Sequence, residues 1–484
     1  MDATLSDIDL PLYVDLDGTL VNTDVAQELL LQVVARPKAW GPLARSLTQG
    51  RAEAKQFLAQ DGEFDPATLP YVPEVLEYLR AEKARGRRVV LASATDIRVA
   101  EKVAAHLGLF DAVIASTDGD NLKGARKLEA IKEDGGEAFE YLGDSNADRV
   151  IWKSAAVSGF VNAPAPASDL VAPEGRVSLD IREKHSVLDG IRRAMRPHQW
   201  AKNALILLPL FFSHQYGDTE LVMRALLAVI IFSFCASAIY IFNDLLDIEA
   251  DRHHAKKRFR PFAAGTLSPV KGVIASAVLL IVSLGVSALY YGLAFTGLFL
   301  FYVLSTTLYS TWLKHKPVID VVVLTCLYTL RIFVGGVAIG AALSPWLLNF
   351  SLFFFASLAF MKRYTEMRRV EAAGKDGARG YLVDDLTAIL PMGVSCGGLA
   401  VLTLTLYLNS AFVAATYGAV EILWLIAPLI MFWIFRAWLK ALRDEIDDDP
   451  VVFAMRDRTS QLTLLLTVMV VLASKFLTLN GVAL

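Results

Sequence analysis

Leu221-Val-Met-Arg-Ala-Leu-Leu-Ala-Val-Ile-Ile-Phe-Ser-Phe-Cys-Ala-Ser-Ala-Ile-Tyr-Ile-Phe242 runs directly into Asn243-Asp-Leu-Leu-Asp247-Ile-Glu-Ala-Asp251. The first 22 residues carry a single charge, Arg224. A helix of that length crosses a bilayer, whose hydrocarbon core needs about 20 residues. Eight more apolar segments lie at 203–213, 270–290, 294–310, 318–341, 346–361, 388–408, 419–435 and 460–479, so about nine transmembrane helices are expected. The first of these is short and needs help from the amphipathic residues before it. Between the spans, the segments 243–269, 311–317, 362–386 and 436–459 hold eighteen Lys and Arg, and the alternate loops hold none. The positive-inside rule then puts the basic loops and the N-terminal region in the cytoplasm. The expectation is a multi-pass protein of a bacterial-type inner (plasma) membrane. Composition agrees, with 55% hydrophobic and 20% charged residues and a mean hydropathy of +0.44. A net charge of −3 without a long basic run excludes nucleic acid as the main partner. Three cysteines, all within spans, exclude a disulfide framework.

Residues 1–165 have a different character. Short apolar runs alternate with charged helical stretches, which implies an α/β domain with a parallel sheet. Residues 166–190 read as linker and amphipathic lead-in, and 191–484 as the membrane domain, an all-α multi-span bundle. Leu12-Tyr-Val-Asp15-Leu-Asp17-Gly18-Thr19 is a strand that delivers two carboxylates at its C-terminal end, where open α/β sheets bind ligands. Asp15 can act as nucleophile and Asp17 as acid/base. A second strand ends at Ser93, whose hydroxyl suits a phosphate oxygen, and Lys127 can neutralise phosphate charge. A third ends in Gly143-Asp144-Ser-Asn-Ala-Asp148 and offers Asp144 and Asp148 to Mg²⁺, which prefers hard oxygen ligands. These four segments, in this order, resemble the motifs of the haloacid dehalogenase (HAD) phosphatases. The resemblance covers about 150 residues. It implies a Rossmannoid sheet, a small helical cap between Thr23 and Val72, and a metal site that includes Asp15 and Asp17.

In the membrane domain, Asn243, Asp247 and Asp251 are spaced four apart, so one helix places them on one face. Asp244 lies beside them. So many carboxylates repel unless a cation sits between them, and Mg²⁺ carrying a diphosphate fits. Lys257, Arg258 and Arg260 follow at once as cations for phosphate oxygens. This pattern beside a span resembles the first motif of the UbiA superfamily of intramembrane prenyltransferases. Members that act on aromatic rings carry a second Asp-x-x-x-Asp motif; here that stretch, Tyr309 to Leu324, has Lys314 and the single acid Asp320. It looks instead like the branch that makes polyprenyl-phosphoryl-5-phosphoribose. Arg196-Pro-His-Gln-Trp-Ala-Lys202-Asn203 and Lys362-Arg363-Tyr364-x-Glu366 resemble that branch too. The resemblance implies that 5-phosphoribose moves from phosphoribosyl diphosphate to polyprenyl phosphate. It implies Asp247, Asp251 and Asp320 as the catalytic acids, with Lys202, Lys314, Lys362, Arg363 and Tyr364 at the substrates. Arg331 is an intramembrane cation, a functional candidate by its cost alone. The alternative reading is an aromatic prenyltransferase with an isoprenyl diphosphate donor. The fused HAD domain is then expected to remove the product's 5-phosphate.

Overall fold

The computed structural model describes residues 10–476 apart from 35, 63, 118–119, 136–137, 183–185, 411–412, 415–416 and 447–448. The chain divides into two compact units, Met1–Arg196 with Tyr240–Val278, and Pro197–Ile239 with Leu279–Leu484. The acidic segment therefore groups with the sheet domain. This division does not follow the expected boundaries at 165 and 191.

The first unit is built on a six-stranded parallel sheet: β1 (Leu12–Val14), β2 (Val89–Asp96), β3 (Ala112–Ser116), β4 (Glu140–Gly143), β5 (Val157–Val161) and β6 (Arg176–Ile181), in the order β3-β2-β1-β4-β5-β6. β1 pairs on both edges and is fully buried, which is why its residues read as an unbroken apolar run. Strand order reverses between β1 and β4, and a crevice opens at the carboxyl ends of strands flanking such a switch point. Asp15 follows β1 and Asp144 follows β4. Between Thr23 and Val72 come three helices, α1 (Val25–Val34), α2 (Trp40–Gln49) and α3 (Arg51–Asp61). Their Leu29, Val33, Leu43 and Leu58 enter the same apolar cluster as Leu12, Val14 and Leu91.

The stretch expected to be a linker is folded. Leu170 is fully buried in the cluster that holds Trp152 and Phe160, and β6 then adds to the sheet edge beside β5. Its composition misled because an edge strand tolerates polar, exposed residues.

Among the described residues, seven helices are long and apolar enough to cross a membrane: Thr219–Leu246, Pro269–Tyr291, Leu293–Thr311, Ile319–Ile339, Pro345–Ala372, Val383–Leu408 and Val420–Leu442. Large apolar side chains point outward from them, as in Leu289 and Leu293, which are 92% and 86% exposed. That surface suits lipid, and the protein is a multi-pass membrane protein. Two of the nine expected spans are not among the seven found in the described residues. The segment near 203–213 forms the end of a 3-10 helix, Pro197–Leu207, and a five-residue helix, Leu208–Phe212, with Pro209 in its first turn. The last forms Arg458–Phe476, whose apolar middle is bracketed by Arg458 and Lys475.

Candidate functional site

The loop after β1 gathers the charged groups of the first unit. Asp15 accepts a bond from Lys127 Nζ at 2.7 Å through Oδ2 and one from the Leu16 amide at 2.8 Å through Oδ1. Lys127 is buried; its Nζ also donates to Tyr141 Oη at 3.0 Å and stands 3.7 Å from Asp148. Tyr141 donates to Asp148 Oδ1 at 2.7 Å, and the Ser145 amide and hydroxyl hold Oδ2 at 3.0 and 2.7 Å. One oxygen from each of Asp15, Asp144 and Asp148 lies within 4.8 Å of the others. Gly18, at φ +78°, lets the turn approach: a Cβ there would stand 2.2 Å from Asp144 Oδ2. Burial, reinforced by Asp15 and Asp148, pushes the Asp144 carboxyl up to about 8. Three crowded carboxylates that share a single lysine fit a hard divalent cation.

Asp17 stands outside this cluster. Its Oδ1 accepts from the Val25 amide at 2.9 Å and its Oδ2 from the Thr95 hydroxyl, so its side chain is not placed as a ligand. Burial and the nearby Asp24 push it up to about 7, a value suited to giving and taking a proton at neutral pH. Ser93 is buried, and its Oγ accepts from the Thr95 amide at 3.1 Å. Thr95, not Ser93, lines the cleft.

The Asp144 shift gives a signed expectation. Mg²⁺ needs the deprotonated carboxylates, so its affinity should rise with pH between 6 and 8, by up to about tenfold per unit, with proton release. Calorimetric titration in two buffers of different ionisation heat measures both. Affinity that falls or stays flat over that range contradicts the assignment.

The acidic segment is bent. Thr219–Leu246 ends just before Asp247, which begins a short helix, Ile248–Arg252, at φ −100° and ψ 12°. The backbone bonds Asp247 N to Asn243 O and Asp251 N to Asp247 O persist at 3.0 and 2.8 Å, but the expected single straight face does not. Asp244 and Asp251, both buried, instead share Arg260, whose Nη1 lies 3.1 and 2.6 Å from their oxygens. Arg196 also pairs with Asp244, and Lys257 stands 3.9 Å from Asp251. Here a guanidinium bridges the acids that were expected to need a metal. Asp247 is half-buried and makes no ion pair among the described residues. Asn243 is half-buried beside it, and Arg258 stacks on Phe259 at 4.9 Å.

In the second unit Lys202 pairs with Asp449 and lies over the Tyr328 ring at 5.9 Å. Burial acts to raise the Asp449 carboxyl, but Lys202 and Lys362 outweigh it and hold it below its ordinary value. Asp320 opens the helix Ile319–Ile339 fully buried, 2.5 Å from Arg363 Nε, and accepts from Tyr381 Oη at 2.7 Å.

Residues 204–479, more than half of the chain, match the UbiA prenyltransferase family. The chain belongs to that family. Residues 12–150 match the haloacid dehalogenase-like hydrolases, so a HAD-like domain precedes the UbiA domain. An uncharacterized protein, y4nM of Sinorhizobium fredii, is 37% identical over 467 residues, covering 95% of this chain and 90% of its own. Nodulation protein NoeC of Azorhizobium caulinodans is 33% identical over 56% of this chain and 89% of its own. Decaprenyl-phosphate phosphoribosyltransferase of Corynebacterium glutamicum is 40% identical over 193 residues, 39% of this chain and 58% of its own.

Other expected UbiA-domain residues are placed differently from one another. Arg331 is buried, donates to Asn203 Oδ1 at 3.0 Å, and lies 5.3–5.6 Å from the rings of Phe232, Tyr302 and Tyr328. Those contacts satisfy the guanidinium within the bundle. Tyr364 is a core residue packed edge-on against Trp438 at 6.0 Å, so the structure does not open it to substrate. Lys314 is half-buried in the turn Leu313–His315. Sequence reasoning missed Thr95, Tyr141, Asp449 and Tyr381. Of these, only Asp449 carried a signal, as the last of the run Asp447-Asp448-Asp449 before Pro450.

The Asp320–Arg363 pair, 0% and 1% exposed, yields a stability expectation. Asp320→Ala leaves a buried guanidinium without its carboxylate and should cost about 3–5 kcal/mol. Asp320→Asn combined with Arg363→Met should recover part of that loss. Thermal unfolding in detergent measures both, and an unchanged midpoint for Asp320→Ala would contradict the pairing.

Proposed function

We propose that the UbiA domain transfers 5-phosphoribose from phosphoribosyl diphosphate to a polyprenyl phosphate, and that the HAD domain removes the 5-phosphate from the product. The observation that carries the reading is the likeness to decaprenyl-phosphate phosphoribosyltransferase, combined with the cluster of Asp15, Lys127, Asp144 and Asp148 on the same chain. In the transfer, an oxygen of the lipid phosphate bonds to the anomeric carbon of the ribose. The bond from that carbon to the diphosphate breaks, and diphosphate leaves. Positioning and charge neutralisation supply most of the catalysis. Asp247 and Asp251, with Asn243 and Asp244, would hold Mg²⁺, which when bound carries the donor's diphosphate, and Arg260, Arg258 and Lys257 supply positive charge for its oxygens. The family resemblance adds Lys202 and Lys362 as substrate-binding residues. Asp320, already neutralised by Arg363, is a positioning residue.

In the HAD domain Asp15 attacks phosphorus, the bond to the ribose 5-oxygen breaks, and Asp17 gives that oxygen its proton. Asp17 then takes a proton from the water that hydrolyses the aspartyl-phosphate. Lys127 holds Asp15 in line and neutralises phosphoryl charge. Asp15 and Asp144, with Asp148, would hold Mg²⁺, which when bound offsets the charge of the phosphate.

Purified protein given labelled phosphoribosyl diphosphate and polyprenyl phosphate should place label in extracted lipid. Prenylation of an aromatic acid with no ribosyl lipid would sink the reading. The excess of Lys and Arg in alternate loops supports a cytoplasmic HAD domain. A cysteine at Gly217 should then be labelled from outside intact cells, and one at Lys375 should not; the reverse pattern inverts the topology.

A further inference from the structure

The phosphatase cleft is not lined by the HAD segment alone. It measures about 690 Å³, and beside Asp15, Lys127 and Asp144 its walls include Gly265, Ser268 and Lys271. Those three belong to the segment that follows the diphosphate motif. The segment is built in rather than resting on the surface. Arg252, next to Asp251, donates to both oxygens of Glu28 on α1 at 2.7 and 2.8 Å, with both side chains nearly buried. Its Nε holds Ala263 O at 3.0 Å, while Thr23 donates to Glu28 from the other side at 2.5 Å. Gly265, at φ +71°, brings its backbone so close that a Cβ would stand 2.2 Å from the carbonyl oxygen of Asn22. Asn22 lies in the turn that follows Asp17-Gly18-Thr19.

Lys271 is the feature of this wall without a structural task. It lines the cleft, is exposed, and makes no ion pair among the described residues. It occupies the first turn of Pro269–Val286, where the helix dipole disfavours a cation and favours an anion. The helix opens a candidate span, so the residue lies at a membrane end. Lys127, by contrast, is committed to Asp15. The volume is that of a small-molecule pocket, more than a phosphoryl group alone requires.

We propose that this segment is the specificity wall of the phosphatase site, and that Lys271 binds a second phosphate on a sugar whose phosphomonoester is at Asp15. The proposal rests on the functional reading above, in which the transferase product carries a 5-phosphomonoester and, at carbon 1, a phosphodiester to the lipid.

The test uses full-length protein in detergent and three probes: ribose 5-phosphate, ribose 1,5-bisphosphate, and a short-chain polyprenyl-phosphoryl-ribose 5-phosphate. Wild type should favour the bisphosphate over the monophosphate by about tenfold or more in kcat/KM, the gain of one charge-assisted contact. Lys271→Gln should collapse that preference through KM, and Lys271→Arg should keep it. A further gain with the lipid probe assigns the second anion to the lipid phosphodiester; equal rates with the two doubly phosphorylated probes assign it to any sugar bisphosphate. No preference in wild type, or a preference that survives Lys271→Gln, overturns the proposal. Failure of the underlying reading is seen separately, in the lipid made by Asp15→Asn protein. If that lipid keeps its 5-phosphate while wild type shows no bisphosphate preference, only the wall is wrong.

Discussion

Asp15→Asn protein, supplied with phosphoribosyl diphosphate and polyprenyl phosphate, should accumulate a lipid that still carries its 5-phosphate, whereas wild type should release inorganic phosphate and leave polyprenyl-phosphoryl-ribose. The substitution is nearly isosteric, and the amide can still accept from the Leu16 backbone. What it removes is the nucleophile and the charge paired with Lys127 at 2.7 Å. Loss of a nucleophile that works with an acid/base partner costs about 10⁴-fold or more. Ribosyl transfer should continue, because Asp15 belongs to the other reaction. Mass spectrometry of the extracted lipid reads the outcome. Identical phosphorylated lipid from both proteins would break the sequence of two reactions and leave the HAD domain with some other phosphate ester.

The converse experiment removes the donor site. Asp247→Ala and Asp251→Ala should each lower transfer of labelled ribose by at least about 10²–10³-fold, the usual cost of losing one electrostatic contact to a charged transition state. Their effects on stability should differ. Asp247 has no ion pair among the described residues, so its loss should leave the thermal midpoint close to wild type. Asp251 is buried against Arg260 at 2.6 Å, and its removal should destabilise as well as inactivate. Transfer that persists in either variant would place the diphosphate elsewhere.

The phosphatase constellation was legible because each of its groups ends a strand or opens the next helix, and chain order alone brings such positions to one crevice. Asp15, Lys127, Asp144 and Asp148 meet there. Ser93 and Thr95 differ by one strand repeat and are both buried, so sequence pattern alone does not tell which one lines the cleft. The membrane motif was legible in composition but not in shape. The helix breaks at Asp247, and Arg260 pairs with Asp244 and Asp251; no local propensity signals either. The pair between Asp320 and Arg363 joins two helices across 43 positions of sequence, and an isolated acid read as catalytic is in fact neutralised. Two of the expected spans are not matched by long helices among the described residues, and for the first of them hydropathy does not register that Pro209 falls within the apolar stretch, which is shared between two short helical pieces.

The Arg252–Glu28 contact makes the protein less divisible than its two family matches suggest. A cut at the polar stretch near residue 165 would leave Glu28 on one fragment and Arg252 on the other, each a buried charge stripped of its counterion. Chimeras assembled at that stretch inherit the same defect unless both residues travel together. The natural seam of this fusion therefore runs through folded contacts, and exchange of either catalytic half between relatives should require paired replacement of α1 and the segment around Arg252.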